Sequence, residues 1–294
     1  MKLLFSIIIP TYNRADFLPK TIESVISQTY QKFELIIIND GSTDHTNSVV
    51  KTFDDKRIFY FEKSNEERGA ARNYGAKVAN GDFLYFLDSD DLLYNNHLEV
   101  ANDFINSNQP SLFFQQYEII KTDGVIRSVY RPTEKIINDL LVLKGNFMSC
   151  HGVFIKKELF IDNRFNEDRK LAGSEDYELW LRLAARYPIH YSSIITSALV
   201  EHDDRSVLSM NKEQLIKRKK LMLDYILRDR VFINKYGKYK SRLQTDAYSY
   251  IALHCILSGE KLVGIKYYIK AILTRPFFLL NKRSLAILYR LMRF

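Results

Sequence analysis

The sequence predicts an α/β fold: a mostly parallel sheet with flanking helices, followed by a C-terminal helical segment. Three observations carry this. Four short apolar runs in the first 110 residues are separated by helix-like segments. These runs are apolar throughout rather than alternating, as expected of strands covered on both faces. From about Met210 onward the pattern becomes helical, polar and basic.

The first run, "LFSIIIP" (Leu4–Pro10), is a buried strand. It is preceded by a Lys but followed by Pro10, Tyr12, Asn13 and Arg14. A signal peptide would have small residues and a cleavage site there, so a strand is the better reading. Asp16 to Gln28 reads as a helix, with Phe17, Ile22, Val25 and Ile26 as its apolar stripe. "FELIIIND" (Phe33–Asp40) is the second strand, and "GSTDHTNSVVKTF" starts with turn and capping residues before turning helical. "RIFYFE" (Arg57–Glu62) is the third strand. "ERGAARNYGAKVAN" (Glu67–Asn80) is an Ala-rich helix stopped at Asn80-Gly81, and "DFLYFL" is the fourth strand. Strand and helix alternating at this spacing imply parallel pairing through right-handed crossovers.

The middle third is less regular. "SLFFQQYEII" (Ser111–Ile120) and "GVIRSVY" (Gly124–Tyr130) flank a Thr122-Asp123-Gly124 turn, which predicts a hairpin. "HGVFIK" (His151–Lys156) is a strand candidate with Cys150 and His151 at its start. "SEDYELWLRLAARYP" reads as a helix ended by Pro188, with Leu179, Trp180 and Leu183 on its buried face. "IHYSSIITSALVEH" is strand-like. The final third contains "LIKRKKLMLDYIL", then "YIALHCILSGEKLVGIKYYIKAIL" broken at Ser258-Gly259, then an amphipathic stretch from Phe277 to Phe294.

Composition narrows the classes. The chain of 294 residues is 46% hydrophobic and 27% charged, ordinary for a globular protein with a sizeable core. Two cysteines, Cys150 and Cys255, cannot form a disulfide framework, and a reducing cytoplasmic setting is expected. The net charge of +8 is uneven: residues 206–294 hold 19 Lys and Arg against 5 Asp and Glu, so the preceding part is net acidic. The asymmetry suggests two functional parts, 1–205 and a basic helical region 206–294; within the first, 1–110 and 111–205 are expected to be halves of one domain.

Ligands of such sheets bind beyond the carboxyl ends of the strands. Pro10–Arg14, Asn39–Ser42 and Asp88–Asp91 all follow strand ends, which places three polar clusters on one rim. In "DFLYFLDSDDLLYNN" three carboxylates crowd within four residues and repel one another. In extended chain Asp88 and Asp90 face the same way, with Asp91 reached through a turn. A hard divalent cation would relieve the repulsion and bridge to substrate phosphates. A solvated, Asp-rich turn capping the next helix is the plain alternative.

Taken together, "FSIIIPTYNRADFLPKTIESVISQTYQKFELIIINDGSTDHT", "NEERGAARNYGAKVANGDFLYFLDSDDLL" and "SEDYELWLR" resemble glycosyltransferase family 2 across residues 1–205. The resemblance implies a GT-A fold and an inverting enzyme that moves a sugar from a nucleotide-sugar donor. It implies that Pro10, Thr11, Tyr12, Asn13 and Arg14 form the loop at the nucleotide. Asp40 matches the carboxylate that bonds the base, usually uracil, although the preceding residue is Asn39 where the family often has Asp. Arg68 and Arg72 match basic residues near the nucleotide. Asp88, Asp90 and Asp91 match the DxD motif. Asp88 and Asp90 are assigned to the donor, and Asp90 and Asp91, joined by His202, to Mg2+ or Mn2+. Asp176 matches the general base, and Glu175 beside it orients that base or binds acceptor hydroxyls. Arg205 is a further candidate for phosphate oxygens. Cys150, His151 and Trp180 read as core or acceptor-pocket residues.

The implied partners are a UDP-sugar and a saccharide or lipid-linked saccharide acceptor, in bacterial surface or exopolysaccharide synthesis. No nucleic-acid partner is expected, since no recognition module or stacking platform is evident. A nucleotidyltransferase is disfavoured because "PTYNRADFL" lacks a phosphate-loop glycine, and a dinucleotide enzyme because no GxGxxG follows a strand. A non-catalytic scaffold with a membrane-binding tail is the reading from another class. The region 206–294 suits peripheral contact with the cytosolic face of a membrane; packing on the catalytic part, or a homodimer contact, is the alternative. No run of about 18 apolar residues predicts a spanning helix.

Overall fold

The computed structural model describes residues 2–121, 124–127, 129–202 and 212–292. Its first half runs β1 (Phe5–Thr11), α1 (Leu18–Ile26), β2 (Phe33–Asn39), α2 (Thr46–Val50), β3 (Ile58–Glu62), α3 (Glu67–Val78), β4 (Phe83–Phe86), β5 (Leu92–Leu93) and α4 (His97–Asn108). The middle contains β6 (Leu112–Gln115), β7 (Glu118–Lys121), β8 (Ile126–Arg127), α5 (Asn138–Lys144), β9 (Val153–Lys156), α6 (Lys157–Ile161), α7 (Glu175–Arg186), β10 (His190–Ser192) and β11 (Ser197–Glu201). Helices α8 (Lys212–Arg228), α9 (Arg230–Tyr236), α10 (Lys240–Leu257), α11 (Lys261–Thr274) and α12 (Lys282–Met292) complete the described chain.

The main sheet has the order β10-β6-β9-β4-β1-β2-β3. Strands β4, β1, β2 and β3 are parallel, as is the β10–β6 pair, while β9 runs antiparallel between β4 and β6. All seven residues of β1 and of β2 are buried, which explains their unbroken apolar character. The two faces of the sheet carry separate cores. Ile8, Ile36, Ile38, Leu84 and Phe86 face one side, where α3 and α7 pack. Ile7, Ile9, Leu35, Ile37 and Tyr85 face α1 and α4 on the other. Helix α3 approaches β1 so closely that a Cβ on Gly75 would lie 2.4 Å from Ile8 Cγ2, so any side chain there would push the helix off the sheet.

Two expectations change. The segment Ser111–Ile120 is not one arm of a hairpin. It breaks at Gln116-Tyr117, so that β6 joins the main sheet while β7 joins a second sheet of order β5-β11-β7-β8. Only β7 and β8 form the antiparallel pair, around the turn containing Gly124; Thr122 and Asp123 lie outside the described residues. Cys150 and His151 do not begin a strand: Cys150–Gly152 is a turn of 3-10 helix, and β9 starts at Val153. Helices α10, α11 and α12 build a small core of their own around Ile251, Cys255, Tyr268 and Ile287.

Candidate active site

The carboxyl ends of β1, β2 and β4 open onto one cleft of about 490 Å³. Pro10, Thr11, Tyr12 and Arg14 line it after β1, Asp40 after β2, and Asp88, Ser89 and Asp90 after β4. Arg68 and Arg72 enter from α3, and Glu175 and Asp176 face them from the start of α7. Eleven of the fifteen candidates line this cleft; Asn13, Asp91 and His202 are not among its lining residues, and Arg205 lies outside the described residues.

Asn13 is a positioning residue. Its backbone is left-handed, with φ of 50°. Its N–H donates to Ser42 Oγ (2.9 Å) and its Oδ1 accepts from Thr43 N–H (2.8 Å), tying the loop after β1 to the loop after β2. Asp40 is buried at the strand end, where Lys63 Nζ (2.9 Å) and the N–H of Glu66 (3.0 Å) both donate to Oδ1 and fix the carboxylate plane. Gly41 next to it has φ of +80°, and a Cβ there would meet Asn65 N at 2.9 Å, so the tight exit from β2 requires glycine. Asn65 Nδ2 donates to the Asp40 carbonyl (2.9 Å), and Arg169 holds Asn65 in turn through its carbonyl (2.8 Å) and Oδ1 (2.7 Å).

The acidic loop is a tight turn, Asp91 N–H donating to Asp88 O (3.2 Å), rather than extended chain: Asp88, Ser89 and Asp90 line the cleft and Asp91 does not. Asp91 is wholly buried, with Oδ1 accepting from Val200 N–H (3.0 Å) and Oδ2 lying 3.0 Å from His151 Nδ1. The resemblance assigns Asp91 to the metal; in this structure it is not among the residues that line the cleft. Its carboxylate anchors the loop to β11 and to the Cys150–Gly152 turn, contacts that no local pattern reveals. His151 thereby acquires a structural role, with Ser149 Oγ at 2.9 Å from the same nitrogen.

Asp90 sits between an imidazole and a guanidinium. His202 Nε2 lies 3.0 Å and Arg14 Nε 4.0 Å from Asp90 Oδ2. The His202 ring stacks on Phe17 at 4.2 Å, which fixes its plane. Asp90 and His202 thus converge from different elements as one carboxylate and one imidazole, a donor set that suits Mn2+ or Mg2+ when phosphate oxygens and water complete the shell. Among the described residues no group of three or more His, Cys, Asp or Glu side chains is gathered to hold a metal. Arg205 lies outside the described residues.

Arg72 was expected at the nucleotide. It is 1% exposed and spans the floor of the cleft, donating from Nη2 to Asp88 Oδ1 (2.7 Å) and from Nη1 to Glu175 Oε1 (2.8 Å). Its guanidinium also stacks 5.2 Å from the centroid of Phe165. One side chain therefore joins the end of β4 to the start of α7, and it acts mainly by positioning. Burial opposes ionisation of Glu175, but Arg72 and Arg68 outweigh it and hold this carboxyl below its usual range. The opposite holds for Asp176, where burial and then the adjacent Glu175 charge push the carboxyl up. Asp176 accepts hydrogen bonds from Asn146 Nδ2 (3.1 Å) and Tyr177 N–H (2.6 Å). Trp180, one turn on, is fully buried against Phe165 and belongs to the core. Cys150 lines the cleft, yet burial raises its thiol far enough to keep it protonated and inert.

Sequence reasoning missed Lys63, Asn65, Asn146 and Arg169, polar residues on loops whose partners are distant in the chain. It also missed how the basic region reaches the site: Lys219 Nζ on α8 lies 3.3 Å from Ser174 Oγ, directly before Glu175.

Fold and site together define a GT-A glycosyltransferase, with a nucleotide-side rim on β1, β2 and β4 and a facing carboxylate on α7. Residues 6–164 match the profile of Glycosyl transferase family 2, and the chain belongs to that family. An uncharacterised glycosyltransferase of Rickettsia typhi is 30% identical over 265 residues, which cover 81% of this chain and 82% of the relative. The Escherichia coli UDP-Glc:alpha-D-GlcNAc-diphosphoundecaprenol beta-1,3-glucosyltransferase WfgD is 34% identical over 181 residues, 61% of this chain and 69% of that protein. An uncharacterised glycosyltransferase of Rickettsia felis is 33% identical over 202 residues, and there the match spans only 33% of the relative's length. In overall structure the chain is similar to Staphylococcus aureus TarS 1-349 in complex with UDP-GlcNAc, with a TM-score of 0.66 at 19% identity, covering 91% of this chain and 90% of that one. It is also similar to the mannosyltransferase PcManGT of Pyrobaculum calidifontis in complex with GDP-Man and Mn2+, with a TM-score of 0.60 at 15% identity, covering 100% and 87%.

Proposed function

We propose that the protein transfers a sugar from a UDP-sugar to a hydroxyl of a lipid-linked saccharide, with inversion at the anomeric carbon, in bacterial surface polysaccharide synthesis. One observation carries the catalytic part of this reading. Asp176 faces the donor rim across a single cleft, and it is the carboxylate there whose environment raises its proton affinity.

Asp40, oriented by Lys63, accepts from the base N–H, and the loop from Pro10 to Arg14 lies against the nucleotide. Asp90 and His202 would hold Mn2+ or Mg2+, which when bound stabilises the charge of the departing nucleoside diphosphate. Asp176 takes the proton from the acceptor hydroxyl as that oxygen attacks the anomeric carbon from the face opposite the diphosphate. Glu175, locked on Arg72, keeps the start of α7 in register and supplies the negative charge that makes Asp176 a stronger base. WfgD and the similar enzyme WfaP of Escherichia coli, both named for a UDP-Glc donor and a diphosphoundecaprenol-linked acceptor, support the donor and acceptor classes.

The test is thermal unfolding and UDP release with purified protein, a panel of UDP-sugars and Mn2+. UDP with Mn2+ raises the melting temperature, and one UDP-sugar supports turnover that Asp176→Asn abolishes. Absence of any UDP-dependent shift, or full turnover in the variant, refutes the proposal.

A further inference from the structure

The basic C-terminal helices end in a surface that no other part of the described chain covers. On α11 the residues facing the core are Gly264, Tyr267, Tyr268 and Ala271. The opposite face carries Leu262, Ile265, Ile269 and Leu273 at helical spacing, all exposed, with Leu262 at 85% and Leu273 at 77%. Lys266 and Lys270 lie on the same face, each beside one of these apolar residues. The chain then turns through Pro276–Leu280, where Phe277 and Leu280 are 80% and 82% exposed. Helix α12 continues the pattern: Ser284 and Ile287 pack inward, while Leu285, Tyr289 and Met292 point out beside the exposed Lys282 and Arg290.

Single exposed apolar residues are ordinary; a run over two helices and their connecting turn is not. No helix among the described residues is long and apolar enough to cross a membrane. The geometry points to a bilayer-docking edge: α11, the turn at Phe277–Leu280 and α12 lie in the interface of an anionic membrane, with the aliphatic side chains in the acyl boundary and the lysines and arginines at lipid phosphates. Charge decides between occupants. A second copy of this chain would bring the same lysines against its own, whereas an anionic surface complements them, and region 206–294 carries 19 basic residues against 5 acidic ones. Arg283 on α12 reaches back to Ser249 Oγ on α10 (3.1 Å), so the edge is held rigidly to the helices that brace the start of α7.

The inference goes beyond the proposed reaction, and its test uses no catalysis. The full chain is mixed with vesicles of phosphatidylcholine alone, or of phosphatidylcholine with phosphatidylglycerol, and bound protein is measured by flotation. The wild type floats with the anionic vesicles, less so as salt is raised, and does not float with the neutral ones. Phe277→Glu with Leu280→Glu lowers the bound-to-free ratio at least about tenfold, while the melting temperature and its shift by UDP with Mn2+ stay unchanged, showing an intact fold and donor site. Equal flotation of variant and wild type, equal binding to both vesicle types, or no wild-type binding overturns the inference. So does a wild-type dimer that the double variant converts to monomer without any vesicle binding.

Discussion

Replacing Arg72 by Met tests the tie between the two halves of the site. The substitution keeps most of the side-chain volume and its contact with Phe165 but leaves Asp88 and Glu175 without their shared cation. Removing one partner of a buried ion pair costs about 3–5 kcal/mol, because the remaining charge stays in low dielectric. The two arms are unequal. The Glu175 side chain is 4% exposed and Asp88 is 23% exposed, so water relieves the second and the lower figure of about 3 kcal/mol applies. For a chain of 294 residues that loss lowers the melting temperature by roughly 5 °C. Activity falls separately, since a shift of about 1 Å at Asp176 is enough to cost about 10²-fold in turnover. Differential scanning fluorimetry and UDP release measure the two effects. Adding Glu175→Gln to Arg72→Met removes the stranded charge and restores about half of the lost melting temperature without restoring turnover. If Arg72→Met melts within about 2 °C of the wild type, or if the double variant melts lower than the single one, the buried-bridge argument fails.

Asp176→Asn lowers transfer by about 10²–10⁴-fold with the donor KM little changed, as removal of a general base does; steady-state kinetics on both substrates decide it. The wild-type rate falls as pH drops through a value above the usual Asp range, because the base must be ionised and its proton affinity is raised in the folded protein; a pH profile whose acid limb lies at or below that range contradicts the assignment. His202→Ala raises the half-saturating Mn2+ concentration at least about tenfold, whereas Asp91→Asn leaves it unchanged and instead lowers stability by about 1–3 kcal/mol. A metal titration in which Asp91→Asn behaves like His202→Ala would return Asp91 to the ligand set.

How much of this was legible in the sequence follows from where each interaction partner lies. Strands β1 to β4 were readable because burial on both faces leaves a local mark, a continuous apolar run. The rim was readable because the fold sends every parallel strand end the same way. The break at Gln116-Tyr117 left no such mark. Gln116 N–H donates to Ser192 O (2.9 Å) and the Gln115 amide bonds Thr196, so residues some eighty positions later decide where β6 stops. Asp91 shows the same limit: Asp90 and Asp91 look alike in sequence, and Val200 and His151 set the surroundings of the second. That Arg72 belongs to the site was legible; its bridge was not, since its partner Glu175 is 103 positions away.

The distribution of charge argues for the base more firmly than motif position does. The cleft and its surround hold seven carboxylates within a small volume, and six have a cationic or titratable partner, Glu67 through Arg169 at 3.8 Å. Asp40 has Lys63, Asp88 and Glu175 share Arg72, Asp90 has Arg14 and His202, and Asp91 has His151. Asp176 accepts hydrogen bonds from a carboxamide and a backbone N–H, and burial with the adjacent Glu175 charge outweighs the attraction of Arg72. Burial and the fixed negative charge beside it drive Asp176 toward accepting a proton. The same arrangement predicts how it can be detuned. Asn146→Lys would bring a cation to Asp176 Oδ2, lower its proton affinity and move the acid limb of the rate profile to lower pH while reducing the rate on the plateau. An acid limb that stayed in place in that variant would show that the titrating group is not Asp176.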